Sequence, residues 1–474
     1  MRRPIVISGI GTVSAFGVGP KALWDGLVSG ASCIRPATRL DASGFDCQLA
    51  AEVVGEGGAE FSAREYVPKS YRKATKVMAR DIEIAVACAH TAAADARLIT
   101  RATEAATPTY AGERIGCQIG AGLIAAESDE LAAALSTAVA ENPDAASKAR
   151  GGFDYRAWGT VPMDGQKTGG MENLPPLWML KYLPNMLACH VTIIHGAEGP
   201  SNTHTCTEAS GLLSIGEGCR VIERGSADAC FSGSAESKLN LMGMLRLTAA
   251  QRLARAPADA AVADVCRPYD PASTGSIPGE GGGIVILEDA ALARKRSANV
   301  YAEVAGFGAA HSTTNLLPPF HAAPGAVNHG LANAIRAALR DAGVTPDAID
   351  AVFPQACGCP FFDLPEAGAL REVFGTHLPS IDIVPLVTTL GDCFAGSGGL
   401  QTAAAALSIR NQALPAKRVR LSHTPHTPSP NTTQTPPTVQ NAPEGEGRKN
   451  VRCVLVCSTS VGGQNAALVV RQAQ

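Results

Sequence analysis

Short apolar runs alternate with helical segments along almost the whole chain, and this alternation constrains the fold more than any other feature. Residues 5–8 (IVIS), 114–120 (RIGCQIG) and 282–288 (GGIVILE) are apolar runs next to glycines, as expected of buried strands. Residues 76–96 and 396–410 have the periodicity of helices. Because strands that alternate with helices form sheets covered by helices, the pattern predicts an α/β fold.

The length and the order of the elements predict two halves of similar organisation. A chain of 474 residues is longer than one hydrophobic core usually accommodates. A second series of strands and helices begins after about residue 290, so we expect one unit over residues 1–290 and another over 291–474. Residues 125–180, first Ala-rich and then Gly/Pro-rich, are typical of an insertion, and the Pro/Thr-rich residues 424–447 of a solvated loop.

The composition indicates a globular protein with reduced thiols. Apolar residues make up 46% of the chain, and a net charge of −3 argues against a general nucleic-acid binder. No run of 18 apolar residues occurs, so no membrane-spanning helix is expected. The start, MRRPIVISGIGTVSAFGVG, imitates a signal peptide, but Pro4 and the interrupting Gly and Ser residues favour a buried strand. The fourteen cysteines lack a repeated CxxC spacing, which predicts a cytoplasmic location.

Five sequence blocks occur in an order that resembles one known family. IVISGIGTVSAFG with LWDGLVSG resembles the start of β-ketoacyl synthases of the ketosynthase II type. LPNMLACHVTIIHGAEGPS resembles the helix and turn that precede their nucleophile, and ASGLLSIGEGCRVIERGSADACFSGSAES resembles the nucleophile helix and the next strand. RPYDPASTGSIPGEGGGIVILED and the terminal VGGQN are similar to two further blocks. The likeness covers most of the chain apart from residues 125–180 and 424–447.

This resemblance implies a fold, a substrate class and partners. The fold would be thiolase-type, with two duplicated halves in a five-layer α-β-α-β-α sandwich, usually as a dimer. The substrates would be acyl chains on acyl carrier protein in fatty-acid or polyketide biosynthesis, without a cofactor, nucleic acid or membrane. Family members condense an acyl thioester with malonyl-carrier. A Cys thiolate at a helix N-terminus takes the acyl chain, a Lys assists, and two His stabilise the enolate.

Carrying the family's catalytic positions onto this sequence changes every condensing group. The ungapped register of GPS before the nucleophile and SG after it puts the nucleophile position on Glu208. QACGCPFFD stands in place of HGTxTxxxD, which puts the first His position on Gln355. GDCFAGSG stands in place of GHxxGAAG, which puts the second His position on Asp392 and the Lys position on Val387. Asp363 survives, as does a Glu three residues later.

The substitutions predict a scaffold that has lost ordinary condensation. A Glu at the nucleophile position would form a labile mixed anhydride in place of a stable thioester, and an ionised Asp392 would repel a developing enolate. The nearest precedent is the chain-length factor, the non-condensing partner of an active ketosynthase in type II polyketide systems. We therefore expect a homodimer or a heterodimer with such a partner. Two other possibilities are a protein that only holds an acyl chain, and an enzyme that decarboxylates or hydrolyses carrier thioesters with Glu208 and Asp392.

The sequence offers an alternative nucleophile, Cys206, which would take the role if the turn carried a two-residue insertion. The ungapped match on both sides disfavours this, and a small buried thiol at a strand end is the simpler interpretation. Glu208 itself could merely cap the following helix, which is worth about 0.3–1 kcal/mol. If Glu208 and Asp392 instead face each other in one cavity, their repulsion would raise one pKa and suit acid/base chemistry.

Three more cysteines fall near the same positions: Cys357, Cys359 and Cys393. Together with Cys206 and the two carboxylates they could bind a metal ion. CxC is an unspecific spacing, so packed thiols are the favoured interpretation and no metal is expected.

A basic cluster and a histidine complete the candidates. Arg72, Lys73 and Lys76 lie where ketosynthases dock the acidic carrier protein, and Lys69 and Arg80 extend the cluster. A solvated helix face is the alternative interpretation. His190, on an apolar helix, is expected to be a structural residue at a dimer interface.

Overall fold

The computed structural model describes residues 3–103, 107–138, 153–154, 158–159, 170–174, 177–313, 325–422, 439–441 and 450–473. The strands are β1 Ile5–Ser14, β2 Gly17–Val18, β3 Arg35–Pro36, β4 Leu49–Ala50, β5 Ile115–Ala121, β6 Ser201–His204, β7 Ala229–Ser237, β8 Glu280–Asp289, β9 Ala302–His311, β10 Ala351–Phe353, β11 Asp382–Ile383, β12 Val419–Leu421, β13 Val439–Asn441, β14 Cys453–Thr459 and β15 Gln464–Arg471.

The α-helices alternate with these strands. They are α1 Pro20–Ser29, α2 Arg80–Asp95, α3 Ser128–Ser136, α4 Met186–His195, α5 Ser210–Glu223, α6 Leu241–Ala249, α7 Val262–Val265, α8 Ala290–Lys295, α9 His329–Ala342, α10 Pro360–Phe374, α11 Val387–Leu390 and α12 Ser397–Asn411. Short 3₁₀ turns precede two of them, at Thr207–Ala209 before α5 and at Phe394–Gly396 before α12.

Most strands belong to one 13-stranded sheet with two wings. The strand order is β13-β12-β11-β10-β14-β15-β9-β1-β8-β7-β5-β6, and β2 pairs with β1. The first wing ends in β1 and the second begins with β9. The wings meet through only two residue pairs, Val6 with Glu303 and Ile7 with Ala302. Each wing has parallel pairs, formed by β5 with β6 and β7 and by β10 with β11 and β14.

Helices cover the sheet in layers. The helix α2 packs on β1 and β8, and α9 packs on β9 and β15. Between the wings lie α5, which contacts β5, β7 and β15, and α12, which contacts β8 and β14. The result is the predicted α-β-α-β-α order of five layers. The two central helices meet near their N-termini, where a Cβ on Gly211 would lie 3.0 Å from the Gly398 Cα.

Glycines allow the outer helices to approach their strands closely, and the two wings use the same device. A Cβ at Gly11 of β1 would overlap the Cys88 carbonyl oxygen of α2. A Cβ at Gly308 of β9 would overlap the Ala334 carbonyl oxygen of α9. The close approach buries the apolar faces of both strands and helices without a gap.

Some predicted element bounds are wrong. The predicted helix over residues 76–96 begins at Arg80, because Lys69–Val77 forms a separate 3₁₀ segment. The apolar run at residues 381–386 predicts a further strand, but only Asp382–Ile383 forms one, and α11 begins at Val387. Most of the predicted insertion, residues 125–180, and of the predicted loop, residues 424–447, lies outside the described residues.

Within the described part of the chain, no helix is both long and apolar enough to cross a membrane. All fourteen cysteines are free. Eleven of them are buried, among them Cys47, Cys88, Cys117 and Cys457.

Candidate active site

Glu208 lies in the 3₁₀ turn Thr207–Ala209 that leads into the central helix α5. Its side chain is buried, with 2% of the residue exposed. One carboxylate oxygen accepts a hydrogen bond from the Thr207 hydroxyl at 2.6 Å, and the Val461 N–H lies 3.4 Å from the same oxygen. The N-cap residue of α5 is Ala209, which makes no side-chain cap hydrogen bond. That the charge of Glu208 stabilises the helix N-terminus stays a prediction.

Asp392 lies directly before the second central helix, between α11 and α12. Its Oδ1 accepts a hydrogen bond from the Phe394 N–H at 2.9 Å. Its Oδ2 lies 3.4 Å from the Ser276 hydroxyl, which donates to it. The residue is 2% exposed, so neither oxygen depends on bulk water.

Arg252 joins these two carboxylates, and the sequence analysis did not single it out. Its guanidinium donates to Glu208 Oε1 through one nitrogen and to Asp392 Oδ2 at 3.0 Å through another. The rings of Phe362 and Phe394 lie 5.2 Å from the guanidinium carbon. Glu208 and Asp392 therefore share the Arg252 guanidinium, and the predicted rise of one pKa occurs at Asp392, where the Glu208 charge adds to the effect of burial.

A sequence signal for Arg252 does exist. Two carboxylates predicted at one buried site require a cation, because an unpaired buried charge is very costly. Arg252 is one of the few cations in the segment between the nucleophile helix and RPYDPAS. Sequence spacing alone could not choose it over Arg246 or Arg255, since none of the three belongs to a motif.

Gln355 is the fourth member of the site and follows β10. Its Oε1 lies 2.7 Å from the Ser458 hydroxyl, which is also 2.9 Å from the Glu208 carbonyl oxygen. Its backbone N–H donates to Glu366 Oε1 at 3.0 Å. The structure therefore brings Glu208, Gln355 and Asp392 together, with Ser458 and Arg252 as the linking groups.

The surroundings shift the ionisation of the charged groups in opposite directions. Burial acts to raise the pKa of Glu208, but the Arg252 charge and the hydrogen bonds from Thr207 and Arg252 bring it below its usual value. Burial raises the pKa of Asp392 to about 6, with Arg252 opposing and Glu208 adding to the rise. The pKa of Arg252 lies well above its ordinary value, since the two carboxylates outweigh its burial. Arg252 therefore stays charged and Glu208 ionised, while Asp392 titrates near pH 6.

Backbone strain is concentrated at this site. Each of the site residues has a non-glycine residue in the left-handed region within two positions of it. These neighbours are Thr207 at φ +47°, Gln251 at +53°, Ala356 at +39° and Phe394 at +49°. Such conformations cost about 1–3 kcal/mol each and persist where the surrounding structure over-determines them. The strain indicates that the directions of these side chains are held by the fold.

Cys206, the alternative nucleophile, is half-buried two residues before Glu208. Its backbone N–H donates to the Ser210 hydroxyl at 2.8 Å. Burial raises the pKa of its thiol, so no thiolate is favoured there. Among the described residues, Arg252 contacts Glu208 and makes no hydrogen bond or ion pair with Cys206.

The other cysteines pack around the base of the site. Cys359 Sγ lies 3.2 Å from the Ser276 hydroxyl and 3.4 Å from the Arg252 carbonyl oxygen. Cys357 Sγ lies 3.6 Å from Asp363 Oδ1. Within the part of the chain that the structure describes, no cluster of three His, Cys, Asp or Glu residues could hold a metal ion.

Asp363 and Glu366 bind Tyr269 and the backbone of the loop that follows β10. Asp363 accepts hydrogen bonds from the Gly358 N–H at 2.9 Å and the Tyr269 N–H at 3.1 Å. Glu366 accepts from the Tyr269 hydroxyl at 3.0 Å and from the backbone next to Gln355. Burial raises the pKa of Asp363 to about 7 and that of Glu366 to about 8. These acids hold the loop that carries Gln355.

One small cavity adjoins Asp392 and Gln355. It is lined by Gln355, Val387, Asp392, Cys393 and Gln401, among others. The volume open to the centre of a water molecule there is about 10 Å³, which is room for about one water. Val387 contributes an apolar wall to it.

The predicted docking cluster lies on the 3₁₀ segment Lys69–Val77, away from these groups. Arg72, Lys73 and Lys76 are exposed, as is Lys69. Arg80 does not extend the cluster, because its guanidinium donates to the buried Glu280 at 2.9 and 3.1 Å. That part of the prediction is wrong.

A hydrogen bond between Tyr71 and His190 connects the segment Lys69–Val77 to α4. The Tyr71 hydroxyl lies 2.8 Å from His190 Nδ1, on α4. His190 is buried with 3% exposed, and burial lowers its pKa to about 4, so the ring is neutral.

The comparison with known families identifies the class of protein that this fold and site define. Residues 2–293 match the β-ketoacyl synthase N-terminal domain, and residues 301–419 match the β-ketoacyl synthase C-terminal domain. The chain belongs to the β-ketoacyl synthase family, and the thiolase-type fold expected from the sequence is confirmed.

Individual relatives are distant but cover the chain. The 3-oxoacyl-[acyl-carrier-protein] synthase 2 of Staphylococcus aureus strain COL is 25% identical over 468 residues, which is 99% of this chain and 98% of that protein. The enzyme of the same name from Coxiella burnetii is 28% identical over 87% of each chain. The solved structure of the ishigamide ketosynthase/chain length factor is 26% identical, covers 100% of both chains and has a TM-score of 0.73.

Proposed function

We propose that this chain is a non-condensing, chain-length-factor-like partner of an active ketosynthase in fatty-acid or polyketide biosynthesis. The observation that carries the proposal is the buried ion pair between Glu208 and Arg252 at the nucleophile position. A carboxylate cannot store an acyl chain as a thioester, and this carboxylate is already engaged by a cation. The acyl-enzyme route of the family is therefore closed.

The two positions that should stabilise the enolate support the same conclusion. The Gln355 amide oxygen is turned to Ser458. Asp392 is an acceptor for Arg252 and for the Phe394 N–H, and above about pH 6 it is an anion. An acceptor where a donor is needed opposes the negative charge that develops as CO₂ leaves. Losing donors of this kind costs about 10²–10³ in rate each.

The partners follow from the family and from the surface. We propose that the exposed Arg72, Lys73 and Lys76 dock an acyl carrier protein and that the chain pairs with a ketosynthase bearing Cys, His and His. One of the related solved structures is the ishigamide ketosynthase/chain length factor. The fourteen free thiols favour the cytoplasm. A homodimer is the alternative assembly.

Reconstitution tests the proposal. The chain is co-expressed with the ketosynthase and the carrier protein of its own pathway, purified as a complex and analysed by intact mass spectrometry. We expect a complex in which the acyl group is carried by the ketosynthase and never by this chain. An acylated form of this chain, or a complex that makes product equally well without it, would contradict the partner function.

The docking surface is tested in the same complex. Arg72→Ala, Lys73→Ala and Lys76→Ala together should weaken carrier binding by about tenfold at low salt, because each exposed cation contributes a modest, screened attraction. Lys21→Ala, on the exposed face of α1, is the matched control and should change nothing. Equal affinity of the triple variant and wild type would exclude this surface.

One observation favours a second function, an enzyme that hydrolyses or decarboxylates carrier thioesters. Glu208 and Asp392 are buried neighbours of one cation, and their pKa values are shifted apart, as in acid/base pairs. The two functions differ in a direct assay. Thioester cleavage or decarboxylation by the isolated chain that is lost in both Glu208→Gln and Asp392→Asn would favour the enzyme.

A further inference from the structure

We propose that Arg252 is an internal plug, whose side chain fills the space beside the nucleophile position and closes it to any carrier-bound thioester. The inference deepens the proposed function and rests on it in one respect, the assignment of Glu208 to the nucleophile position. It adds a residue outside every family motif and a physical reason why this site takes no substrate.

The Arg252 guanidinium is enclosed by two carboxylates and two rings. It lies between a carboxylate that precedes α5 and a carboxylate that precedes α12, so it connects the N-termini of both central helices. It also lies between the rings of Phe362 and Phe394, each 5.2 Å away. Arg252 is only 7% exposed. All sides of the group are therefore occupied by protein, as in a packed core.

Glu208 and the Arg252 side chain are both buried. With Arg252 in place, the cavity next to Asp392 and Gln355 has room for about one water molecule. A thioester and the arm that carries it are much larger than a water molecule. Glu208 and Arg252 do not line that cavity and are only 2% and 7% exposed. A substrate therefore reaches the nucleophile position only if the Arg252 side chain moves.

The backbone around Arg252 directs its side chain toward the site. The backbone N–H of Arg252 donates to the Leu247 carbonyl oxygen at 3.0 Å, and its own carbonyl oxygen accepts from the Ser276 N–H at 2.7 Å. Gln251, directly before it, has φ +53°, although its side chain is exposed and makes no demand for that conformation. The strained turn after α6 aims Arg252 inward, and the ion pairs keep it there.

A thiol placed at the site itself tests the plug. Glu208→Cys gives a reporter at the nucleophile position and leaves Arg252 with Asp392 as a neutral pair. Two further changes then separate the volume of the plug from its charge. Arg252→Ala with Asp392→Asn removes both, whereas Arg252→Met with Asp392→Asn removes the charge and keeps an unbranched side chain of similar length. The native proteins are treated with methyl methanethiosulfonate, and modification of the introduced thiol is followed by peptide mass spectrometry.

The plug predicts slow labelling of Glu208→Cys, and equally slow labelling when Arg252→Met and Asp392→Asn are added. Adding Arg252→Ala and Asp392→Asn instead should make labelling at least about tenfold faster, because the side chain that closes the site is gone. Both combinations lack the Arg252 charge, so an effect on thiol pKa cancels between them. Equal rates in the Ala and Met combinations, or fast labelling of Glu208→Cys alone, would overturn the plug.

A second measurement covers the case in which the combinations do not fold, which circular dichroism reports. In that case Glu208→Cys is labelled at increasing urea. A plugged site is labelled only through global unfolding, so the rate should follow the free energy of unfolding with its full denaturant dependence. Labelling that is independent of urea would overturn the plug. Labelling depends on neither a ketosynthase nor a carrier protein, so its failure is distinguishable from failure of the partner function in reconstitution.

Discussion

At the scale of single residues, the site is a charge cluster in which one cation serves two buried carboxylates. Taking such groups out of water costs several kcal/mol per ion, and the attraction between them offsets this only while every partner is present. Removing one partner is therefore worse than removing all of them. Arg252 is the most sensitive member, because it is the cation that both Glu208 and Asp392 contact.

The first prediction concerns this cation. Arg252→Met should lower the free energy of unfolding by about 3–5 kcal/mol at pH 8, because two buried carboxylates lose their partner. The loss should shrink toward pH 5, where the carboxylates take up protons in the folded state. Adding Glu208→Gln and Asp392→Asn should restore most of the stability, and urea unfolding at the two pH values measures all of this. A loss that is equal at both pH values would contradict the charge cluster.

The second prediction concerns pH. Burial raises the pKa of Asp392 to about 6 in the folded protein, from an unperturbed value of about 3.9. A raised pKa contributes stability that is fully present below the unfolded value and is lost as the pH rises through the folded value. We expect this group to lower the free energy of unfolding by about 2 kcal/mol between pH 4 and 7. Asp392→Asn should lack that decline in urea unfolding.

Glu208→Gln is the matched control for this prediction, with the opposite sign. The pKa of Glu208 is lowered by folding, so its contribution is present above the unfolded value and is lost as the pH falls. The difference between wild type and Glu208→Gln should therefore grow with pH. If both variants change the pH dependence in the same direction, the assigned ionisation states are wrong.

The residue scale also shows how far the sequence could lead. The motif register was sufficient to bring Glu208, Gln355 and Asp392 to one place, because each follows a recognisable block. The sequence did not predict Arg252, because its long side chain reaches the site from a segment without a motif. Its role also depends on a turn at Gln251 that sequence periodicity does not reveal. Arg80 was misassigned to the surface for the same reason, since its partner Glu280 lies 200 positions away.

At the scale of elements, glycines set the distance between the outer helices and their strands. Predicted elements with strong periodicity, such as β8 and α12, were found within a few residues of their expected bounds. Elements with weak periodicity were not, as the 3₁₀ segment Lys69–Val77 and the short strand β11 show. Their conformations are decided by tertiary contacts, for instance that between Tyr71 and His190.

The third prediction tests the close approach. Gly11→Ala and Gly308→Ala should each destabilise the protein by about 1–3 kcal/mol, because an added methyl would overlap a backbone oxygen of α2 or α9 and force the helix away. Gly44→Ala is the control, since a methyl there would meet no atom within 4 Å. Thermal unfolding of the three variants measures the effect. A loss in Gly44→Ala as large as in the other two would contradict the packing argument.

At the scale of the whole molecule, the sheet has two wings of similar construction. The strands β1 and β9 each carry a pair of glycines against an Ala-rich helix, and each wing sends one central helix, α5 or α12, into the middle layer. That residues 1–290 and 291–474 are duplicated units stays a prediction, which superposition of the two halves would test. In this arrangement both central helices begin at the same place, and there the charge cluster lies.

The charge cluster leads to the central prediction for the whole molecule, which is that the isolated chain does not condense acyl groups. The most direct measurement incubates the purified chain with acyl-carrier and malonyl-carrier and follows β-ketoacyl formation by mass spectrometry. An active ketosynthase in the same buffer is the positive control. We expect no product above background from wild type, Cys206→Ala or Glu208→Ala. Robust product from wild type that is abolished by Cys206→Ala and retained in Glu208→Ala would contradict the account.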